Sequence, residues 1–156
     1  MLKFHNYDIV CQEIPDEVTL AFNITGCPNR CPGCHSPWLR DDIGNPLDMA
    51  AIGSMLDCYG AAVTCICFMG GDNEPAEVNR LASEIRKAYP NHKVAWYSGN
   101  ETLSEEIVPA NFDYIKIGPY VEALGGLRSE TTNQKMYKVE DSTLVQISAK
   151  SETALV

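Results

Sequence analysis

The sequence predicts an α/β fold in which helices pack outside a parallel sheet. Short apolar segments have the periodicity or length of buried strands, and helical stripes fall between them, which favours crossover connections. The chain has 156 residues, of which 45% are hydrophobic. This is enough for one core, and no linker divides the sequence, so we expect a single domain over 1–156.

Four strands are expected in the first three quarters of the chain. Apolar residues alternate with small or polar ones over 18–24, so this strand has one apolar face and one face that could line a site. The segment 63–69 is almost continuously apolar, as in a strand buried on both sides. The other strands are expected at 93–97 and 114–117, with weaker ones at 136–139 and 144–147.

Two helices are expected between these strands. Apolar residues recur at helical spacing over 78–89, after Asp72 as a possible helix cap and before Pro90, which ends the run. A shorter stripe covers 52–59. Ligands of parallel sheets bind where strands end and loops begin, so we expect the functional site at that edge.

Charge and cysteine content narrow the classes of function. The chain has 21 acidic and 12 basic residues and a formal charge of -9, which disfavours attraction to nucleic acid or an anionic membrane. It has no bilayer-spanning apolar run and no signal-peptide pattern at its start, so we expect a cytoplasmic protein that binds no membrane. Seven cysteines cannot all pair, which indicates metal or redox chemistry.

Three of the cysteines lie on one loop directly after the first expected strand. Cys27, Cys31 and Cys34 occur on a stretch that also holds two prolines and two glycines. Thiolates at this spacing can converge on one soft centre. In a cube of four irons they would bind three and leave the fourth open for a ligand, which is a catalytic arrangement.

Other interpretations of this loop stay open. Cys31 and Cys34 alone could form a redox dithiol, although Cys27 argues against it. The three cysteines with His35 could hold structural zinc, but His35 directly follows Cys34 and would close a tetrahedron with difficulty. The thiols could also be unbound.

Four cysteines lie elsewhere in the chain: Cys11, Cys58, Cys65 and Cys67. Cys65 and Cys67 are two apart on one expected strand and must point to the same face. A second metal site there is conceivable. Because free cysteine is a frequent core residue, we expect all four to be buried thiols.

The cysteine spacing resembles the signature of the radical S-adenosylmethionine (SAM) enzymes. In that superfamily the motif follows the first strand, and a glycine pair ends the second; here Gly70 and Gly71 follow the segment 63–69, with Asp72 where many members have glutamate. The resemblance implies a partial, incomplete TIM-like (β/α) barrel with mostly parallel strands. Because the chain is short, we expect this barrel to be open on one side.

Within that superfamily the chain resembles the activating enzymes of anaerobic ribonucleotide reductase over nearly its whole length. The stretches that carry the resemblance are 31–35, 70–72, 97–99, 118–120, 128–129 and 133–134. Two stretches depart from that family's pattern. The usual Asn-Gly-Pro-Gly-like turn is replaced by Gln-Glu-Ile-Pro-Asp-Glu at 12–17, and a Trp-Arg-Gly-Ser stretch by Gly-Leu-Arg-Ser at 126–129.

This resemblance implies reductive cleavage of S-adenosyl-L-methionine at a [4Fe-4S] cluster. The product would be a glycyl radical on a large partner enzyme, most directly anaerobic ribonucleotide reductase, with a one-electron donor such as flavodoxin or ferredoxin. The implied cluster ligands are Cys27, Cys31 and Cys34. The implied SAM-binding residues are Gly33, Cys34, His35, Gly70, Gly71, Asp72, Ser98 and Lys116.

Alternatives remain for single residues and for the whole chain. Asp72 could instead cap the following helix, and Lys116 could be solvated. The chain could be a radical SAM enzyme acting on a small molecule such as a deazaguanine precursor, although the sequence offers no obvious charged pocket. It could also be a non-enzymatic zinc or iron–sulfur binding module.

Overall fold

The computed structural model describes residues 1–34 and 36–147, which form a sheet of eight strands and two α-helices. The strands are β1 (Lys3–Val10), β2 (Thr19–Ile24), β3 (Asn45–Pro46), β4 (Cys65–Met69), β5 (Lys93–Tyr97), β6 (Tyr114–Ile117), β7 (Lys135–Glu140) and β8 (Thr143–Ile147). The α-helices are α1 (Met49–Tyr59) and α2 (Pro75–Ala88), and short 3-10 turns cover Pro37–Arg40 and Pro109–Asn111. No helix in this part of the chain has the length and apolarity needed to cross a membrane.

The sheet is parallel only at its centre. Its strand order is β3-β1-β2-β4-β5-β6-β7-β8. The neighbours β2, β4, β5 and β6 run parallel, whereas β1 and β3 on one side and β7 and β8 on the other pair antiparallel. The expected partial TIM-like barrel of mostly parallel strands is therefore wrong, because the described residues form one mixed sheet with only two α-helices.

The connections between strands explain this difference. In a (β/α) barrel a helix follows each strand and returns the chain to the same end of the sheet. After β6, residues 118–134 contain no helix, and the chain re-enters the sheet antiparallel as β7. Asp141 and Ser142 then join β7 to β8 with positive φ angles of 49° and 64°. Such a two-residue turn makes a hairpin, which forces antiparallel pairing.

The two faces of the sheet carry different side chains. Both α-helices bury their apolar stripes against one face, where large side chains such as Phe22, Phe68 and Trp96 are fully buried. The opposite face, which we call the second face, carries smaller groups such as Ala21 and Ala95. The alternation predicted over 18–24 is therefore confirmed.

The second face is covered by loops. No helix among the described residues packs on it. Ile14 inserts from the segment between β1 and β2 and is fully buried there. The Arg128 Nη2 atom donates a hydrogen bond to the Gln12 carbonyl at 2.5 Å, and the Tyr97 hydroxyl donates to the Glu13 carbonyl. The two stretches that depart from the family pattern thus meet, and we call residues 11–17 and 126–129 the loop cover.

The expectation for the four remaining cysteines is only half correct. Cys65 and Cys67 are fully buried on the second face, as predicted, and burial raises the pKa of both thiols. Cys11 and Cys58 are exposed, so their assignment to the core is wrong. All four are free thiols.

The loop cover should contribute measurably to stability through Ile14. Ile14→Ala removes side-chain atoms that are 0% exposed, and we expect a loss of about 2–5 kcal/mol in the free energy of unfolding, measured by urea denaturation. Ile9→Ala is the matched control, because Ile9 on β1 is 37% exposed, and we expect it to lose less than about 1 kcal/mol. Equal losses in the two variants would contradict the packing of Ile14 on the sheet.

Candidate functional site

The loops that follow the parallel strands lie side by side at one edge of the sheet. The Gly70 amide after β4 donates to the Tyr97 carbonyl at 3.0 Å, and the Ser98 amide after β5 donates to the Lys116 carbonyl at 2.8 Å. The Gly118 amide after β6 donates to the carbonyl of Asn100 at 2.7 Å. Hydrogen bonding therefore continues past the strand ends and fixes these turns relative to one another.

The cysteine loop, residues 25–34, leaves the end of β2 and is held against the 3-10 turn Pro37–Arg40. The Cys27 amide donates to the Leu39 carbonyl at 2.9 Å, and the Arg40 Nη2 atom donates to the Cys31 carbonyl at 3.3 Å. These bonds fix the loop from one side. They use backbone atoms of the cysteines and leave the thiols free for a ligand.

The three thiols of this loop are free and partly exposed. Burial raises the pKa of the Cys27 thiol, and the nearby charges of Asp72, Cys31 and Cys34 raise this pKa further. A bound metal cation would reverse this effect, because coordination deprotonates a thiol.

The donor set of the cysteine loop, three thiols, fits a four-iron cluster. Within residues 1–34 and 36–147, no three Cys, His, Asp or Glu side chains are arranged so that they could hold one metal ion. A structural zinc site requires such convergence on one centre. In a cluster each thiolate binds a different iron, so the sulfurs stay farther apart. The three free thiols of the cysteine loop supply one thiolate for each of three irons.

Asp72 accepts hydrogen bonds from four groups at the strand ends. The donors are Asn29 Nδ2 at 3.0 Å, Ser98 Oγ at 2.5 Å, the Gly99 amide at 2.8 Å and Asn100 Nδ2 at 3.3 Å. We call these five residues the Asp72 network. The residue at the N-cap of α2 is Glu74, and no side chain caps this helix. The alternative role of Asp72 as a helix cap is therefore wrong.

The glycine pair after β4 makes a turn that other residues would strain. Gly70 and Gly71 have φ angles of 114° and 95°. A Cβ atom on Gly71 would lie 2.5 Å from Cγ2 of Val78 in α2. The Gly70 carbonyl accepts a hydrogen bond from the Trp96 indole at 2.7 Å, a contact that the sequence pattern did not indicate. The turn is thus anchored to the core.

Lys116 is buried beside these turns, so the solvated alternative is wrong. Its Nζ atom donates to the Ser98 carbonyl at 3.0 Å and to the Gly118 carbonyl at 3.2 Å. Burial lowers the pKa of this ammonium to about 8, against the charges of Asp72 and Cys31, which raise it. Lys116 also lines a cavity of about 560 Å³ with Tyr97 and residues of the loop cover.

The structure brings together part of the predicted site. Cys27, Asp72, Ser98 and Lys116 are joined by hydrogen bonds or nearby charges. Gly33 lies farther along the cysteine loop, where its Cα faces the Glu122 side chain, and His35 lies outside the described residues. Local sequence patterns did not indicate that Asn29, Gly99 and Asn100 donate hydrogen bonds to Asp72, because Asp72 is at least 27 residues away from each of them in the chain.

Comparison with protein families identifies the class of domain. The family described as the 4Fe-4S single cluster domain matches residues 17–139, which include the cysteine loop and the strand-end turns. The chain belongs to this family. Comparisons with curated proteins and with solved structures give no significant match.

The buried ammonium of Lys116 should make folding depend on pH. Its pKa is about 8 in the folded chain against an ordinary value of 10.5, so between these pH values the unfolded chain binds more protons and stability rises with pH. Relative to Lys116→Met, the wild-type chain should gain roughly 3 kcal/mol between about pH 7 and about pH 10.5. Urea denaturation of reduced, metal-free protein at several pH values measures this gain.

Lys93→Met is the matched control for this experiment. Lys93 donates to Glu17, and that hydrogen bond raises its pKa. Its contribution to stability is therefore constant below its ordinary pKa, and the difference from wild type should stay flat over the same range. A flat difference for Lys116→Met as well would contradict the burial of the Lys116 charge.

Proposed function

We propose that this chain is a radical SAM activating enzyme that generates a glycyl radical on a large partner enzyme, most directly anaerobic ribonucleotide reductase. The observation that carries the proposal is the set of three free thiols on the cysteine loop, at the strand-end edge of a 4Fe-4S single cluster domain. Domains of this family are found in radical SAM-type proteins. Three protein ligands leave one iron of a four-iron cluster open for a substrate.

Cys27, Cys31 and Cys34 are the proposed ligands of the cluster. A bound [4Fe-4S] cluster would supply the single electron for cleavage of SAM to methionine and a 5′-deoxyadenosyl radical, and that radical would take a hydrogen atom from a glycine of the partner to give 5′-deoxyadenosine. The chain's own part is to hold the thiols and to position SAM. The hydrogen bonds from Cys27 to Leu39 and from Arg40 to Cys31 support the first task.

The proposed SAM site lies where the cysteine loop meets the turns after β4 and β5. Gly33 and Cys34, with His35, are assigned to the nucleoside side. Gly70 and Gly71 are assigned to the methionine end, since a glycine turn lets a ligand approach the backbone closely. Asp72, Ser98 and Lys116 complete the predicted set, and the hydrogen bonds among them support its assembly. Lys116 supplies a cation whose pKa the charge of Asp72 raises, and a cation and an anion in one site suit a zwitterionic ligand.

The partner is proposed to approach from the side of the loop cover. A glycine within a folded enzyme needs an open approach to the cluster, and no helix in the described residues closes the second face. The loop cover differs from the pattern of the activating enzymes in both of its segments. We therefore assign the choice of partner to these loops. As expected from the sequence, the compartment proposed for this activity is the cytoplasm.

The cluster assignment predicts which cysteines retain iron. Anaerobically reconstituted protein should be brown and contain about four irons and four sulfides per chain. Cys27→Ala, Cys31→Ala and Cys34→Ala should each hold less than about one iron, because a three-cysteine site has no spare ligand. Iron and sulfide analysis with absorption spectra measures this loss.

Cys11→Ala and Cys58→Ala are the matched controls, since both thiols are exposed and lie outside the cysteine loop. These variants should keep the iron content of the wild-type chain. Colourless protein with stoichiometric zinc, or equal iron loss in loop variants and controls, would contradict the cluster assignment.

The activating function predicts SAM cleavage and radical transfer. When the reconstituted protein is reduced, it should convert SAM to methionine and 5′-deoxyadenosine, measured by chromatography, and Cys31→Ala should not. With a co-expressed glycyl radical enzyme, a glycyl signal should appear in the electron paramagnetic resonance (EPR) spectrum. A stable cluster without SAM cleavage would indicate an iron–sulfur binding module. Cleavage without association with the partner enzyme would contradict the activating role.

A further inference from the structure

We propose that Asp72 is a positioning residue that holds the cysteine loop through the side chain of Asn29. This inference rests on the assignment of Cys27 and Cys31 as cluster ligands in the proposed function. Asn29 lies midway between them in the sequence. Its side chain is therefore placed to fix the part of the loop that separates the first two thiols.

The hydrogen bonds of Asn29 connect Asp72 to a thiol in two steps. The Asn29 Nδ2 atom donates to Asp72 Oδ2 at 3.0 Å, and in the metal-free chain the Cys27 thiol lies 3.8 Å from the Asn29 carbonyl as a weak donor. Movement of Asn29 therefore changes the surroundings of the Cys27 sulfur directly. Hydrogen bonds to a charged acceptor are also stronger than those between neutral groups, so Asp72 is an effective anchor.

The turn after β5 makes the anchor rigid. Ser98 Oγ and the Gly99 amide donate to the same carboxylate, at 2.5 Å and 2.8 Å. Ser98 is 1% exposed, and its amide donates to β6. The turn after β5, to which the third donor Asn100 also belongs, thus sets the orientation of Asp72. The contact between Asp72 and Asn29 transmits that orientation to the cysteine loop.

The missing side chain of Gly99, in the turn after β5, leaves the space that the Asn29 side chain occupies. A Cβ atom on Gly99 would lie 2.6 Å from Asn29 Nδ2. Such a distance is too short for a contact between a methyl group and an amide, so a side chain at position 99 would displace Asn29. The loop is therefore held from two sides, by the 3-10 turn Pro37–Arg40 and by the Asp72 network.

The first test measures thiol reactivity in the reduced, metal-free full-length chain. Asn29→Ala removes the link but leaves the other donors to Asp72, and Gly99→Ala displaces Asn29 without removing a polar group. Both variants should raise the alkylation rates of Cys27 and Cys31 by iodoacetamide about fivefold or more, the size expected for loss of one charge-assisted hydrogen bond. Peptide mass spectrometry follows each thiol, with the exposed Cys11 and Cys58 as internal references.

Each variant has a matched control of the same chemical change. Asn79→Ala removes an amide whose oxygen accepts from the Val108 amide and from Asn111. Gly126→Ala adds a methyl group where no atom lies within 4 Å. Both controls should leave the alkylation rates of Cys27 and Cys31 within about twofold of wild type, because neither change touches the Asp72 network. The buried thiols of Cys65 and Cys67 report any general loss of stability separately.

The second test uses the reconstituted protein. Asn29→Ala should change the EPR spectrum of the reduced cluster and accelerate iron release to a chelator about fivefold, whereas Asn79→Ala should change neither. Alkylation rates that match between Asn29→Ala and Asn79→Ala, or between Gly99→Ala and Gly126→Ala, would overturn the positioning role. The alkylation test needs neither iron nor SAM, so failure of the positioning role is distinguishable from failure of the proposed function.

Discussion

The Asp72 carboxylate imposes the main constraint on the candidate site, because a half-buried charge must be surrounded by hydrogen-bond donors. Its donors come from the cysteine loop after β2 and from the turn after β5, while Asp72 itself follows β4. Three loops that are distant in sequence therefore have to end at one place. The parallel centre of the sheet makes this possible, since it brings the carboxyl ends of these strands to a common edge.

Local sequence patterns could predict the elements but not how the sheet is completed. The segment 63–69 and the stripe over 78–89 correspond to β4 and α2, because continuous burial and helical spacing are local signals. The strand β1 escaped detection because only Phe4 among its residues is buried, so no alternation of apolar and polar residues is visible. The antiparallel edge formed by β7 and β8 depends on a connection without a helix after β6, over residues 118–134, and on the turn at Asp141 and Ser142. The resemblance to barrel enzymes led us to expect parallel strands there.

In the candidate site, as in the fold, only the features with a local sequence signal could be predicted. The three thiols of the cysteine loop and the glycine pair could be found from spacing and position, since they follow strands directly. The role of Asp72 could not, because a carboxylate before a helix fits a cap as well as it fits a long-range acceptor. The burial of Lys116 depended on the packing of the loop cover over the second face. The exposure of Cys11 and Cys58 could not be predicted either, because free cysteine is frequent in protein cores and its presence in a sequence does not indicate an exposed position.

The loop cover and the cysteine loop are attached to the sheet in different ways. Ile14 and the contact between Gln12 and Arg128 belong to connecting segments, whereas the cysteine loop is tied to strand ends and to a 3-10 turn. Connecting segments tolerate insertion, deletion and substitution far better than the elements they join. The surface above the second face can therefore change more readily than the cysteine loop. A domain built this way can alter the surface that it presents without rebuilding its cysteine loop.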